Sequence, residues 1–212
     1  MTNTAFSILF VCTGNICRSP IAEVLTRHLL HKGLGADFAR FSVTSAGTAA
    51  IGGVRMDPHS HAALAVRGLE HAASTFRTRR LDEAMVADAD LVLTAERFHR
   101  RCVVLLEPSA LATTFTFREV VRLLDGADRD VLPVDPVERA RATVDLARQR
   151  RGSAGCVPED ADAVPDPIAL ASVAHRSSAE MIDATSRRLV AILSPPDSPG
   201  QTATVPAPVI SA

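Results

Sequence analysis

The chain has 212 residues, 47% hydrophobic and 22% charged, which is enough for a domain with its own core and excludes a disordered composition. A formal net charge of −1 gives no field favouring nucleic acid or an anionic membrane as a partner. Its four cysteines, Cys12, Cys17, Cys102 and Cys156, show neither zinc spacing nor a CxxC pair.

Phe6 to Val11 reads as a short buried strand, an apolar run ending at the turn residues Thr13-Gly14-Asn15. That run is too short for a signal core or a membrane span, so the expected location is the reducing cytoplasm. Ser19-Pro20 opens a helix, with Ser19 as cap, Ile21, Val24, Leu25 and Leu29 at helical spacing, and Gly33 closing it. Phe41 to Thr44 is a second strand running into Ser45-Ala46-Gly47-Thr48. A helix capped by Asp57 follows over Pro58 to Val66, then another over Arg80 to Ala87. Leu91 to Thr94 is a third strand, Arg97 to Leu106 a helix, and Thr114 to Phe117 a fourth strand leading into a helix that ends at Leu124. Val137 to Arg151 is charged and reads as an exposed helix; Gly152 to Pro165 is an acidic loop; a long helix runs from Ala171 to Leu193 with Ile182, Leu189 and Leu193 on one face. The alternation predicts a three-layer α/β/α domain over residues 1–194 around a four-stranded parallel sheet, then a Pro/Ser/Thr-rich tail over 195–212 that does not fold.

The chemistry concentrates in Cys12-Thr13-Gly14-Asn15-Ile16-Cys17-Arg18-Ser19. A Cys and an Arg separated by five residues is weak by itself, since about 0.4 such pairs arise by chance at this composition. Here the Cys ends a strand, the loop carries Gly and Asn, and the Arg opens a helix. Inward-facing amides of such a loop form an anion nest, and the helix N-terminus adds donors and partial positive charge. Arg18 supplies a planar fork for two phosphate oxygens. The same field favours the ionised sulfur of Cys12, making it a nucleophile, with Ser19 placed to donate a hydroxyl hydrogen bond to it. Three Asp-Pro pairs stand in the chain: Asp57 and Asp135 each precede a helix, where capping is the natural role, and Asp166 lies in the loop before the last helix.

The run CTGNICRSP resembles the signature of the low-molecular-weight protein tyrosine phosphatases. Ser45-Ala46-Gly47-Thr48, Gly68 to Leu81 and Asp166-Pro167 resemble further shared segments, although Phe76 stands where many members have His. The resemblance implies a metal-free, cofactor-free hydrolysis of phosphotyrosine in proteins through a phosphocysteine on Cys12. In that scheme the Thr13–Ser19 loop and Arg18 hold the phosphate, and Asp166 is the acid and then the base. It also implies that Asn15 holds a strained loop conformation with help from Ser45, and that Cys17 is a second loop cysteine able to form a reversible disulfide with Cys12. Ile16 matches the aliphatic position of tyrosine-specific relatives; relatives acting on phosphoarginine tend to have Thr there.

Against a deep aromatic pocket, the chain has no Tyr or Trp, and Ile168-Ala169 follows Asp166-Pro167 where relatives carry aromatics. Phe76 and Phe98 are candidates to replace that wall. An arsenate reductase on the same fold would need a relay of further cysteines, which Cys102 and Cys156 do not provide. A non-catalytic phosphate-binding module would have lost Cys12, Arg18 or Asp166. The histidines, among them His28, His31, His59 and His61, form no constellation in the sequence and default to surface or structural roles.

Overall fold

The computed structural model describes residues 5–155, 157–168 and 170–196. Cys156, Ala169 and nearly all of the expected tail lie outside the described residues.

Four strands, β1 (Phe6–Cys12), β2 (Phe41–Gly47), β3 (Leu91–Thr94) and β4 (Thr114–Thr116), form one parallel sheet in the order β2-β1-β3-β4. The helices are α1 (Arg18–Leu34), α2 (Pro58–Ala65), α3 (Glu70–Thr75), α4 (Glu83–Ala87), α5 (Arg97–Leu106), α6 (Phe117–Leu123), α7 (Pro136–Ser153) and α8 (Ser172–Leu193). The pleat of β1 divides them into two layers. Phe6, Ile8, Phe10 and Cys12 join the larger core with residues of α1, α2, α6, α7 and α8. Leu9 and Val11 face the other way, onto Val86 of α4 and Val103 of α5. Burial on both faces is why β1 reads as an unbroken apolar run, and each such side chain contributes about 1.5–3 kcal/mol. The expected α/β/α architecture is therefore present. Because β2 and β3 flank β1, the chain winds outward from β1 in opposite senses, which opens a crevice at the carboxyl ends of β1 and β3.

Several boundaries differ from the sequence reading. Helix α1 begins at Arg18 with no side-chain cap, so Ser19 is not a cap, and it ends not at Gly33 but at Gly35, whose φ of 56° supplies the left-handed turn. Helix α4 starts at Glu83 rather than Arg80, because Arg80 is held in a parallel bridge to Gly47 and Asp82 caps the helix. Helix α7 is not exposed on all sides. Val137, Ala140, Val144 and Ala147 form a buried stripe, and Arg139 is buried with its guanidinium donating to the carbonyls of Ile192, Leu132, Pro133 and Arg129. Two of those four are small alanines, so the apolar signal is weak in a helix otherwise rich in charge. Asp57 caps α2 as expected, accepting from the amides of His59 and Ser60.

The segment after α7 is strapped across the carboxyl end of the sheet. Asp162 is buried and accepts two hydrogen bonds, each 2.8 Å, from Arg122 Nε and Nη2. Its carbonyl accepts from Thr116 Oγ1, the Ala163 carbonyl from Arg118 Nη1, and the Val164 amide donates to the Ala95 carbonyl. Burial would raise the Asp162 carboxyl, but the hydrogen bonds and charge of Arg122, with Arg97 and Arg118 nearby, hold it below the ordinary carboxylate range. A lowered folded value means its contribution is present above the ordinary carboxylate range and is lost as pH falls through the folded value. Asp162→Ala is therefore expected to cost about 1–3 kcal/mol at neutral pH. Denaturant melts of the two proteins should converge as the medium is acidified below that range.

Candidate active site

The loop between β1 and α1 lies at the crevice, and every residue singled out there in the sequence is brought together. Cys12 ends β1, buried, with Sγ 3.0 Å from Ser19 Oγ. That hydroxyl also accepts from Asn15 Nδ2 at 2.9 Å and lies 3.3 Å from the Ala46 carbonyl. The serine expected to cap the helix thus sits inside its first turn, turned back onto the sulfur.

Asn15 has φ 53°, and among the described residues it is the one non-glycine in the left-handed region. Its side chain is fully buried and satisfied: Nδ2 donates to Ser45 Oγ at 2.8 Å as well as to Ser19, and Oδ1 accepts from the Arg79 amide at 2.8 Å. Ser45 Oγ donates to Glu23 Oε2 at 2.7 Å, and Arg79 Nη2 donates to the same oxygen at 2.6 Å. Glu23 is a buried carboxylate of α1, so this is a closed polar network beneath the loop. From above, Thr48 and Ala49 amides donate to the carbonyls of Cys12 and Thr13, and the Asp57 amide to that of Ile16. The fit is tight at Gly47, where an added Cβ would stand 2.5 Å from the Thr13 carbonyl oxygen and 2.8 Å from the Asn15 nitrogen.

Arg18 is 3% exposed, which rules out a solvated first-turn arginine. Nη2 donates to Asp166 Oδ2 at 2.6 Å and Nη1 to Glu96 Oε1 at 2.8 Å and to the Val164 carbonyl at 3.2 Å. A cation this buried needs such partners. Asp166 is thus in contact with the loop's arginine. Asp135 is not: it caps α7 and pairs with Arg40, just before the start of β2 and so at the opposite end of the sheet. The Arg40 hydrogen bonds, with the Glu138 amide, hold its carboxyl below the ordinary value.

Two residues of the site were not legible as functional in the sequence. Glu96, in the turn after β3, backs Arg18. His99 of α5 is fully buried and shares a 2.9 Å hydrogen bond between Nε2 and Thr13 Oγ1. Burial pushes its imidazole down to about 4, with Arg18 adding to the fall against Glu96 and Asp166, so the ring is neutral at physiological pH. The available signal was position, since both follow the carboxyl end of a strand beside the switch point.

A cleft of about 140 Å³ is lined by Cys12, Thr13, Gly14, Ile16, Cys17, Arg18, Asp166 and Ile168. Neither phenylalanine put forward as its wall lines it. Phe76 is buried and borders a larger cavity of about 650 Å³ between α1 and α3, and Phe98 is half exposed. Cys12 and Cys17 are free thiols, and burial pushes that of Cys17 up to about 12, the Ser60 hydroxyl opposing the rise.

The family model for low molecular weight phosphotyrosine protein phosphatases matches residues 7–150. The chain belongs to that family. The match includes the whole Cys12–Ser19 loop and stops before Asp166. A probable low molecular weight protein-tyrosine-phosphatase, EpsP of Ralstonia solanacearum, is 34% identical over 114 residues, 54% of this chain and 72% of the relative. A protein-arginine-phosphatase of Bacillus subtilis is 33% identical over 144 residues, 68% of this chain and 86% of the relative. The solved arginine phosphatase of Geobacillus stearothermophilus superposes with a TM-score of 0.62 at 26% identity, over 89% of this chain and 92% of that one. The relatives are phosphatases of more than one substrate class.

The close approach at Gly47 yields a test of how rigid the loop must be. Gly47→Ala forces the Thr13 carbonyl or the Asn15 amide to move, and a displacement on the order of 1 Å costs about 100-fold in catalysis. Steady-state hydrolysis of an aryl phosphate should show that loss in kcat, with the protein still melting cooperatively.

Proposed function

We propose that this phosphatase hydrolyses phosphotyrosine in proteins, with Cys12 as nucleophile, Arg18 and the Thr13–Ser19 amides as the phosphate cradle, and Asp166 as general acid and base. The observation that carries the reading is the 2.6 Å contact between Arg18 and Asp166 in a cleft that the buried Cys12 also lines. A phosphate dianion competes with the Asp166 carboxylate for Arg18 Nη2, while Glu96 keeps hold of Nη1. Displaced from the arginine, Asp166 takes up a proton from the medium as the phosphate binds, and then faces the leaving oxygen.

Cys12 sulfur attacks phosphorus, the bond to the aryl oxygen breaks, and Asp166 gives that oxygen its proton. Water then attacks the thiophosphate, Asp166 takes a proton from it, and inorganic phosphate leaves with the sulfur regenerated. Charge building on the equatorial oxygens meets Arg18 and the loop amides in both steps. Ser19 offers its hydroxyl proton to the sulfur when it departs. These donors neutralise the phosphate without calling on a metal ion.

Ile16 and Ile168 support an aryl substrate over phosphoarginine. They line the mouth of the cleft with hydrocarbon, and Asp166 is the one carboxylate lining it among the described residues. A guanidinium leaving group gains nothing from apolar walls, whereas a phenyl ring buries surface on them. Without an aromatic wall, stacking worth about 0.5–1.5 kcal/mol is missing, so binding of the ring is expected to be modest. A reversible Cys12–Cys17 disulfide belongs to the same reading: a peroxide oxidises Cys12 to the sulfenic acid, and the Cys17 sulfur displaces water from it, slowly because a thiol held near 12 is a poor attacking group at neutral pH.

The test is hydrolysis of para-nitrophenyl phosphate, a phosphotyrosine peptide and a phosphoarginine peptide by reduced protein in EDTA. Vanadate-sensitive turnover favouring the phosphotyrosine peptide, abolished in Cys12→Ser, is expected. Asp166→Ala should slow phosphotyrosine, the poorer leaving group, by about 100-fold or more and para-nitrophenyl phosphate less. Equal losses in Asp135→Ala would remove Asp166 from the acid's role, and preference for phosphoarginine would reverse the substrate assignment.

A further inference from the structure

Behind the loop, three segments far apart in the sequence bring metal-binding atoms together. Cys17 Sγ, a carboxylate oxygen of Asp57 and a ring nitrogen of His175 all lie within 4.8 Å of one another. Cys17 belongs to the loop, Asp57 caps α2, and His175 is in the first turn of α8. Cys17 and His175 are buried and Asp57 is half-buried.

His175 is the independent sign that a ligand belongs here. Its side chain is 3% exposed, and Nδ1 makes no hydrogen bond among the described residues although Asp57 Oδ1 lies 3.4 Å away. Leaving a buried polar atom unpaired costs about 1–3 kcal/mol, and such atoms call for a specific explanation. Asp57 Oδ1 is already committed to the His59 and Ser60 amides at 2.9 and 3.1 Å, which fixes the carboxylate's position while leaving it able to take a further partner.

We propose that Cys17, Asp57 and His175 form a zinc site, its fourth position open toward the exposed imidazole of His59, whose ring centroid is 4.8 Å from that of His175. One thiolate, one carboxylate and one imidazole is a donor set for zinc; magnesium and calcium take oxygen ligands instead. Ligands about 2.0–2.1 Å from a tetrahedral zinc stand about 3.3 Å apart, which the Asp57–His175 separation of 3.4 Å already meets. The remaining closure is on the Cys17 side. As the sulfur–zinc bond forms, the Cys17 proton passes to solvent, and two negative ligands neutralise the ion. Bound zinc ties the phosphate loop to α2 and α8 and withdraws Cys17 from thiol chemistry. None of this depends on which phosphorylated substrate the enzyme takes.

The experiment uses the reduced full chain carrying Cys12→Ser, which removes the neighbouring nucleophile as a competing ligand. Titration with Zn²⁺ is expected to show one ion per chain and a raised melting temperature, and Co²⁺ in its place an intense tetrahedral spectrum with a sulfur-to-cobalt charge-transfer band. His175→Gln and Asp57→Asn, added singly, should each weaken Zn²⁺ binding at least as much as loss of an outer-shell partner does, about 10–100-fold. Should His175→Gln fail to fold, Cys17→Ser keeps the test open, because the charge-transfer band must then vanish. Absence of stoichiometric zinc, or binding that survives both His175→Gln and Cys17→Ser, would overturn the site and place any bound metal on surface histidines.

Discussion

The site depends on the backbone of Asn15. A non-glycine residue in the left-handed region costs about 1–3 kcal/mol, less for Asn than for most, and it persists only where its surroundings dictate it. Here they do. Hydrogen bonds donated to Ser19 and Ser45 and one accepted from the Arg79 amide fix the Asn15 side chain, and Ser45 and Arg79 are fixed in turn by the buried carboxylate of Glu23. Turning Asn15 is what folds the chain from the end of β1 back into the start of α1, so that Cys12 and Arg18 line one cleft. The network joins β1, β2, α1 and the segment before α4, and the sheet is what brings those elements within reach of one another.

A second dependence runs to Asp166. Asp166 lies on a loop with little regular structure, yet its position is not left to chance. Asp162 is pinned by Arg122, the Ala163 carbonyl by Arg118, and Val164 both donates to Ala95 and accepts from Arg18. Arg18 thus reaches the Asp166 carboxylate and the backbone two residues before it. Helix α7, packed along the core through alanines and the buried Arg139, delivers the chain to this strap. The stretch that was hardest to interpret in the sequence is the one that brings Asp166 to the cleft lined by Cys12.

What was legible in the sequence was local. Strand β1, the turn, Arg18 and the helix are contiguous, and each residue type there has a short-range physical reason. Asp57 and Asp135 were legible as caps by the same logic. What depended on topology was not. Glu96 and His99 reach the loop only because β3 pairs with β1, and Glu23 meets Arg79 only through the sheet's order. Ser19 was assigned to capping because a hydroxyl before proline is usually a cap; tertiary contact with the Cys12 sulfur claimed it instead. The cluster of Cys17, Asp57 and His175 has no spacing signature, since its members come from three elements.

Phosphate caught on the enzyme is the most direct measurement. The Asp166→Ala protein, expected to be slowed in passing its intermediate to water, is mixed with para-nitrophenyl phosphate, whose leaving group needs little help from an acid, then quenched in acid, digested and read by mass spectrometry. One phosphoryl group on the peptide containing Cys12, absent when vanadate is present, is the predicted result. Turnover with no phosphoryl-enzyme, or a phosphoryl group on any other residue, would contradict nucleophilic catalysis by this loop.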